Sequence, residues 1–160
     1  MMTVEQLKSC RFFLVFSDEE LEKIAQVTQK KSLKKGNVVY RNGETAGHFF
    51  IVGKGLVSLR EFQPGDTVGI AFETRGPGEI FGVASLMPSK TYTLTAVCQE
   101  DTELFEVNMR ALEDFIQWAP SIGYILMKEV AHIYFDRYRL CKRQLYQMVK
   151  TPTLITALPG

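Results

Sequence analysis

The sequence has few of the residues that build metal centres and disulfide frameworks. Its 160 residues include two histidines and three cysteines. His48 and His132 are isolated, so neither belongs to a set with metal-ligand spacing. Cys10, Cys98 and Cys141 lie far apart, and an odd number of cysteines does not suit a disulfide framework. We therefore predict free thiols, no metal site and a cytoplasmic protein.

An excess of charge and a long apolar run are also missing. The 19 basic and 18 acidic residues leave a net charge of +1, which gives no argument for nucleic-acid or membrane binding. No apolar run approaches the roughly 20 residues that span a bilayer, and the first residues lack the features of a signal peptide. A hydrophobic content of 46% is typical of an ordinary globular domain.

No arrangement of nucleophile and base suggests an enzyme. The sequence offers no Ser-His-Asp or Cys-His grouping, and Ser85, at the start of a short helix, is better interpreted as a cap or a ligand contact. We predict no catalytic residue.

Residues 37–108 alternate short β-forming runs with turn signals, the pattern of a β-sandwich or roll. Asn42-Gly43 is a strong hairpin signal, and the basic run from Lys30 to Lys35 is interpreted as a solvated strand edge. Helical spacing precedes this region over residues 4–29, where Ser17 begins a helix, and follows it over 109–149. The candidate strands are Val38–Tyr40, His48–Val52, Leu56–Phe62, Thr67–Phe72, Tyr92–Cys98 and Thr102–Val107.

The chain is organised around the stretch from Gly76 to Val97. It opens with a Gly-Pro-Gly turn, continues through two apolar residues to Gly82, and then has a small-residue run that can start a short helix. A glycine at a strand end that opens into a helical turn directs several backbone N–H groups the same way. Such a turn is suited to binding an anion.

The segment Phe81–Leu86 resembles the phosphate-binding cassette of the cyclic nucleotide-binding domain, which occurs in catabolite-activator-type regulators, kinase regulatory subunits and gated channels. The resemblance extends over about Phe12 to Leu145. It implies a mainly β protein with flanking helices (α+β), a double-stranded β-helix or jelly-roll-like β-roll with short N-terminal helices and a long C-terminal helix. One domain would cover residues 1–150, and the tail, 151–160, is too short for a DNA-binding domain.

Two cassette positions depart from the family pattern. Val83 stands where the family has the glutamate that holds the ribose hydroxyl, and Tyr92 stands where it has the arginine that pairs with the cyclic phosphate. The candidate effector is a cyclic nucleotide, as the resemblance implies, or another small anion, and the sequence identifies no further cofactor. The predicted ligand-binding residues are Phe81, Gly82, Val83, Ala84, Ser85, Tyr92, Thr93, Arg137 and Tyr138.

The predicted C-terminal helix, which runs from Pro120 to about Val149, carries two apolar stripes. One alternates spacings of three and four and contains no charged residue, which predicts a dimer interface; otherwise it is part of a wide core face. The resemblance also implies dimerisation through this helix. The predicted interface residues are Tyr124, Met127, Ala131, Tyr134, Tyr138, Cys141, Leu145 and Met148. The second stripe, expected to face the roll, contains Leu126, Val130, Ile133, Arg137 and Leu140.

Arg137 interrupts the second stripe, and an unpaired arginine is expensive to bury. It either enters the ligand pocket, as the resemblance implies, or pairs with a carboxylate or reaches solvent.

The sequence thus predicts a dimeric domain that senses a small-molecule effector and contacts no membrane and, through this domain alone, no nucleic acid. The alternatives are an interaction module with a vestigial pocket and the effector domain of a truncated transcription regulator.

Overall fold

The computed structural model describes residues 2–149. These residues form two units, one that ends at Gly123 and one that begins at Tyr124. The first unit contains three short helices, a 3-10 turn at Arg11–Val15, eight strands and a second 3-10 turn at Val83–Leu86, here named the cassette turn. The second unit contains most of a long helix.

The elements follow one another in the order that the sequence predicts for a β-roll with flanking helices. The helices are α1 (Val4–Lys8), α2 (Asp18–Gln26), α3 (Met109–Ile116) and α4 (Pro120–Met148). The strands are β1 (Thr28–Leu33), β2 (Val38–Tyr40), β3 (His48–Lys54), β4 (Val57–Glu61), β5 (Ile70–Arg75), β6 (Ile80–Phe81), β7 (Thr95–Cys98) and β8 (Thr102–Asn108).

The N-terminal helices begin at side-chain caps. The Ser17 hydroxyl accepts a hydrogen bond from the Glu20 backbone N–H, and the Glu20 carboxylate accepts one from the Ser17 N–H. This reciprocal pair satisfies two of the donors that a helix start leaves unpaired. It confirms the helix start predicted at Ser17.

The strands form two four-stranded antiparallel sheets, ordered β1-β8-β3-β6 and β2-β7-β4-β5. Apolar residues from both sheets meet in one core. Phe50, Val52 and Leu104 come from the first sheet. Leu59 and Ala96 come from the second. The predicted fold class, a β-roll with flanking helices, is confirmed.

The first strand starts at Thr28, so the prediction of helical structure through Gln29 and of a roll beginning at residue 37 was wrong there. The Thr28 hydroxyl donates to the Ile24 carbonyl oxygen at 2.7 Å, and the chain then pairs with β8. Lys30 and Lys31 lie on an edge strand, as predicted, and pair with Glu103 and Glu106 of β8 at 2.8 and 2.7 Å.

The hairpin predicted at Asn42-Gly43 was also wrong. Strand β2 pairs with β7, whereas β3 pairs with β6 and β8 in the other sheet. The Gly43 N–H donates to the Tyr92 carbonyl oxygen at 2.8 Å, and the Asn42 N–H donates to the Thr95 hydroxyl at 3.1 Å. The turn therefore carries the chain from one sheet to the other. By contrast, the loop through Gly65 does join two neighbours, β4 and β5.

In the second unit, α4 continues from Tyr124 to its end at Met148. Side chains one turn apart contact each other along it. His132 lies 3.3 Å from the Asp136 carboxylate. The Lys142 ammonium lies 5.5 Å from the centre of the Tyr138 ring. Over residues 2–149, no helix combines the length and the apolar character needed to cross a membrane.

Candidate functional site: the cassette turn

The cassette turn has the backbone that the sequence predicts. Strand β6 ends at Phe81, and Gly82 adopts a left-handed conformation, with φ +72° and ψ 24°. A side chain at Gly82 would be strained by this φ and would also place its Cβ 3.0 Å from the Phe50 ring. Glycine is therefore required where the strand opens into the turn.

The turn itself is tightly packed. Ser85 is fully buried, and both its hydroxyl and its backbone N–H donate to the Gly82 carbonyl oxygen, at 3.2 and 3.3 Å. Val83, at the position of the family's glutamate, is 4% exposed. Ala84 and Leu86 are half-buried. The Ser85 hydroxyl thus bonds back within the turn, whereas no side chain caps the start of the turn. The role of a cap predicted for Ser85 was therefore wrong, and an apolar side chain occupies the acidic position.

Tyr92, at the position of the family's arginine, is buried in an aromatic cluster made of Tyr40, Phe50, Phe81 and Tyr92. Its ring stacks on Tyr40 with 3.7 Å between centroids, and Tyr40 in turn lies 5.8 and 6.1 Å from the rings of Phe50 and Phe81. The Tyr92 hydroxyl donates to the His48 carbonyl oxygen at 2.6 Å. The tyrosine fills the interior beside the cassette turn.

Burial keeps this phenol neutral. It raises the pKa of Tyr92 to about 12, and the nearby carboxylates of Glu106 and Glu44 add to the increase. A neutral phenol whose proton is donated to a carbonyl offers no positive charge to a phosphate. Tyr92 therefore cannot replace the charge of an arginine.

The segment before Tyr92 is fixed by backbone contacts. The Tyr92 N–H donates to the Glu44 carbonyl oxygen at 3.0 Å. Lys90 has a φ of 43°, and its ammonium pairs with Glu113 at 3.1 Å. Thr93, which follows Tyr92, is exposed. Of the predicted ligand residues near the turn, Thr93 is thus the one whose side chain is open to solvent.

Tyr40 and His48 contact Tyr92 beside the cassette turn, and neither was among the residues predicted for the site. Tyr40 ends a strand whose partner, β7, lies far along the sequence. The sequence shows only that Tyr40 is an aromatic residue at the end of a candidate strand. It does not show which strand pairs with β2, so the stacking of Tyr40 on Tyr92 could not be inferred.

Arg137 and Tyr138, the remaining predicted ligand residues, lie in the second unit. Arg137 is half-buried, and its guanidinium carbon lies 5.1 Å from the centre of the Tyr134 ring. Tyr138 is 62% exposed. Their participation in a ligand site stays a prediction.

The predicted dimer seam of α4 is exposed along its whole length. Tyr134 and Leu145 are 44% and 46% exposed. In the second stripe, Leu126 and Val130 are buried, whereas Leu140 is exposed. The exposed seam residues are Tyr124, Met127, Ala131, Tyr134, Tyr138, Cys141, Leu145 and Met148.

In the part of the chain that the structure describes, no three histidine, cysteine, aspartate or glutamate side chains lie close enough together to hold a metal ion. Burial raises the pKa of the Cys10 and Cys98 thiols, which favours their neutral form.

Comparison with known proteins agrees with this geometry. The family model of the cyclic nucleotide-binding domain matches residues 30–118. The cyclic AMP receptor protein of Thermus thermophilus is 29% identical over 121 residues, which cover 75% of this chain and 55% of that protein. An isozyme 2 form of the cGMP-dependent protein kinase of Drosophila melanogaster is 27% identical over 58% of this chain and 10% of the kinase. The chain therefore spans about half of the first relative and a small part of the second.

Solved structures show the same fold. A protein from Geobacter metallireducens GS-15 superposes with a TM-score of 0.72 and 28% identity, over 86% of this chain and 99% of that one. The catabolite activator protein of Thermus thermophilus superposes with a TM-score of 0.67 and 23% identity, over 86% of this chain and 62% of that one. With its β-roll, its cassette turn and a family match across most of the roll, the chain belongs to the cyclic nucleotide-binding domain family.

Proposed function

We propose that this chain is a regulatory domain that binds a small effector at the cassette turn and transmits the binding event through α4. The observation that carries the proposal is the cassette backbone. Gly82 has a left-handed conformation and the Ser85 hydroxyl donates to its carbonyl oxygen, although the two charged side chains of the family are absent. The scaffold that presents the ligand is retained, while the chemistry around it has changed.

The changed chemistry favours a partly apolar anion. Val83 and Tyr92 make the surroundings of the turn apolar, and Thr93 supplies an exposed hydroxyl. Arg137 is the proposed positive charge, because a guanidinium binds phosphates and carboxylates in a bidentate manner. Cyclic AMP and cyclic GMP would bind weakly, since the contacts to the phosphate and to the ribose hydroxyl are both changed.

Dimerisation through α4 is the second part of the proposal. The seam is continuous and exposed from Tyr124 to Met148, with its residues spaced three or four apart. A large exposed apolar surface of this kind is typical of a protein–protein interface. A second copy of the same helix covers it in a two-stranded arrangement. Binding of the effector would then favour one packing of the two helices over another.

A second candidate is an interaction module without an effector. It is favoured by the aromatic cluster, since the stack of Tyr92 on Tyr40 already fills the interior beside the cassette turn. In that case the α4 surface alone would carry the function.

A thermal-shift screen of small organic anions, followed by calorimetry, separates the two candidates. For an effector found in this way, Arg137→Met should weaken binding by about tenfold or more, because it removes a charge-assisted contact. Thr93→Val should weaken it severalfold. Arg139→Met and Thr74→Val, at exposed positions, are the matched controls and should leave it unchanged.

Unchanged affinity in both site variants, with the fold intact, would remove the cassette turn as the binding site and leave the interaction module. Submicromolar binding of cyclic AMP or cyclic GMP by the parent would contradict the proposed change of ligand chemistry.

A further inference from the structure

A groove of about 650 Å³ lies on the outer face of the sheet β2-β7-β4-β5. Alternate residues of these strands, such as Leu59 and Ala96, point into the core. The residues between them, among them Val38, Val97 and Arg60, line the groove. No residue of the cassette turn lines it. Its volume lies within the range of small-molecule sites, roughly 300–1,000 Å³.

The strand register places an apolar floor beside a charged residue. Val38 is opposite Val97, and Thr95 is opposite Arg60. The loop between β4 and β5 adds Phe62 and Val68 to the lining, and both side chains remain partly exposed. The groove thus offers an apolar surface to a ligand and a guanidinium at one side of it.

Arg60 is held in place by neutral groups. Its Nε donates to the Ser58 hydroxyl at 2.5 Å, and its Nη1 donates to the Val68 carbonyl oxygen at 3.0 Å. Neither bond neutralises the positive charge of Arg60. A guanidinium has five N–H donors, so three remain for other partners after these two bonds. Among residues 2–149 the side chain makes no ion pair with a carboxylate. A half-buried, positioned cation without a carboxylate partner is suited to an anionic ligand.

Arg41 adds a second cation to the lining. Its side chain is exposed and, within the described chain, also makes no ion pair. Its backbone N–H donates to the Glu44 carboxylate at 3.1 Å, so one acidic group lies at this turn. The next N–H, that of Asn42, donates to the Thr95 hydroxyl. These two bonds fix the backbone that carries Arg41 at the groove.

We propose that this outer groove binds a small organic anion. Its phosphate or carboxylate group pairs with Arg60 and Arg41, and its flat apolar body lies on Val38, Val97 and Phe62. An arginine gives planar, bidentate recognition of either acidic group. The site is separate from the cassette turn and does not depend on the function proposed for that turn.

Titration of the ¹⁵N-labelled chain with phenyl phosphate, benzoate and inorganic phosphate, followed by two-dimensional NMR, tests the proposal. The two aromatic probes should shift the resonances of Val68, Thr95, Val97 and the Arg60 Nε–H, with a dissociation constant of about 1 mM or lower. Comparison of these probes identifies the preferred acidic group. Inorganic phosphate, which has no apolar body, should bind more weakly.

The variants Arg60→Met and Arg41→Met should weaken aromatic-probe binding by about tenfold and severalfold, respectively. Arg110→Met, at an exposed position of α3 outside the groove, is the control and should bind like the parent. Because Arg60 also bonds the loop, the dispersion of the amide spectrum must show that its variant is folded. If it is not, Arg41→Met decides.

Unchanged affinity in the folded Arg60→Met variant, or in Arg41→Met where that variant decides, overturns the proposal. So does the absence of saturable shifts at the groove. Shifts confined to Gly82–Leu86 and Thr93 would also overturn it while supporting the effector site at the cassette turn, so the two proposals fail separately.

Discussion

The rings of Tyr40 and Tyr92 lie parallel, with 3.7 Å between their centroids and 13° between their planes. Tyr40 belongs to β2, and Tyr92 lies just before β7, its partner in the sheet. The family's arginine would bring a charge to the position that Tyr92 now fills with a neutral ring. A residue that contacts the ligand in the family is therefore a core residue in this chain. We expect its substitution to change the stability of the fold.

Removal of the Tyr92 ring should destabilise the fold strongly. We expect Tyr92→Ala to lower the free energy of unfolding by about 3–5 kcal/mol, since it deletes a buried aromatic side chain. Tyr92→Phe should lower it by about 1 kcal/mol, since only the bond to the His48 carbonyl oxygen is lost. Urea denaturation followed by circular dichroism measures both. Tyr146→Ala, at an 81% exposed tyrosine, should stay within about 0.5 kcal/mol of the parent. A similar small effect for Tyr92→Ala would show that the stack contributes little.

The same phenol should make stability depend on alkaline pH. In the unfolded chain Tyr92 ionises near its ordinary pKa of 10.0, whereas burial in the folded state raises the pKa to about 12. Between these values unfolding releases a proton, so stability is intact below pH 10 and falls as the pH rises. The slope is at most about 1.4 kcal/mol per pH unit. The free energy of unfolding of Tyr92→Phe should therefore fall less steeply over this window. Equal slopes for the two proteins would contradict the assignment.

The sequence predicted the cassette backbone well because its determinants are local. A glycine between an apolar strand end and a small-residue run permits the left-handed conformation that Gly82 adopts. The lysine-rich edge of β1 was likewise predicted from the tendency of lysines to protect exposed strand edges. Both features depend on neighbouring residues, and the structure confirms both.

What the sequence could not supply is the pairing of distant strands. Asn42-Gly43 correctly marks a turn, and Gly43 has a φ of +88°, but nothing local indicates that the chain changes sheets there. For the same reason the contact of Tyr40 with Tyr92 was not predicted. It depends on the register between β2 and β7, which contains an irregularity between Val38 and Tyr40.

Restoring the family's charged residues should restore affinity for cyclic AMP. The double variant Val83→Glu with Tyr92→Arg supplies a carboxylate for the ribose hydroxyl and a guanidinium for the phosphate. Such contacts contribute roughly 1.5–3 kcal/mol each, so we expect the two together to make binding about a hundredfold tighter or more by calorimetry. The apolar double variant Val83→Leu with Tyr92→Phe is the control and should bind like the parent. A folded restored variant with unchanged affinity would show that the ligand cannot reach these positions.

The oligomeric state should respond to charges placed on one face of α4. Tyr134→Glu and Leu145→Glu each put a carboxylate on the exposed seam, where a second helix would bury it at a cost of several kcal/mol. We expect the parent to sediment as a dimer at micromolar concentration and both variants as monomers. Arg143→Glu, on the opposite face of the helix by its spacing from Cys141 and Leu145, also introduces a carboxylate and should remain dimeric. A parent that stays monomeric at high concentration would exclude the seam as an interface, and a monomeric Arg143→Glu variant would show that the charge acts without being buried.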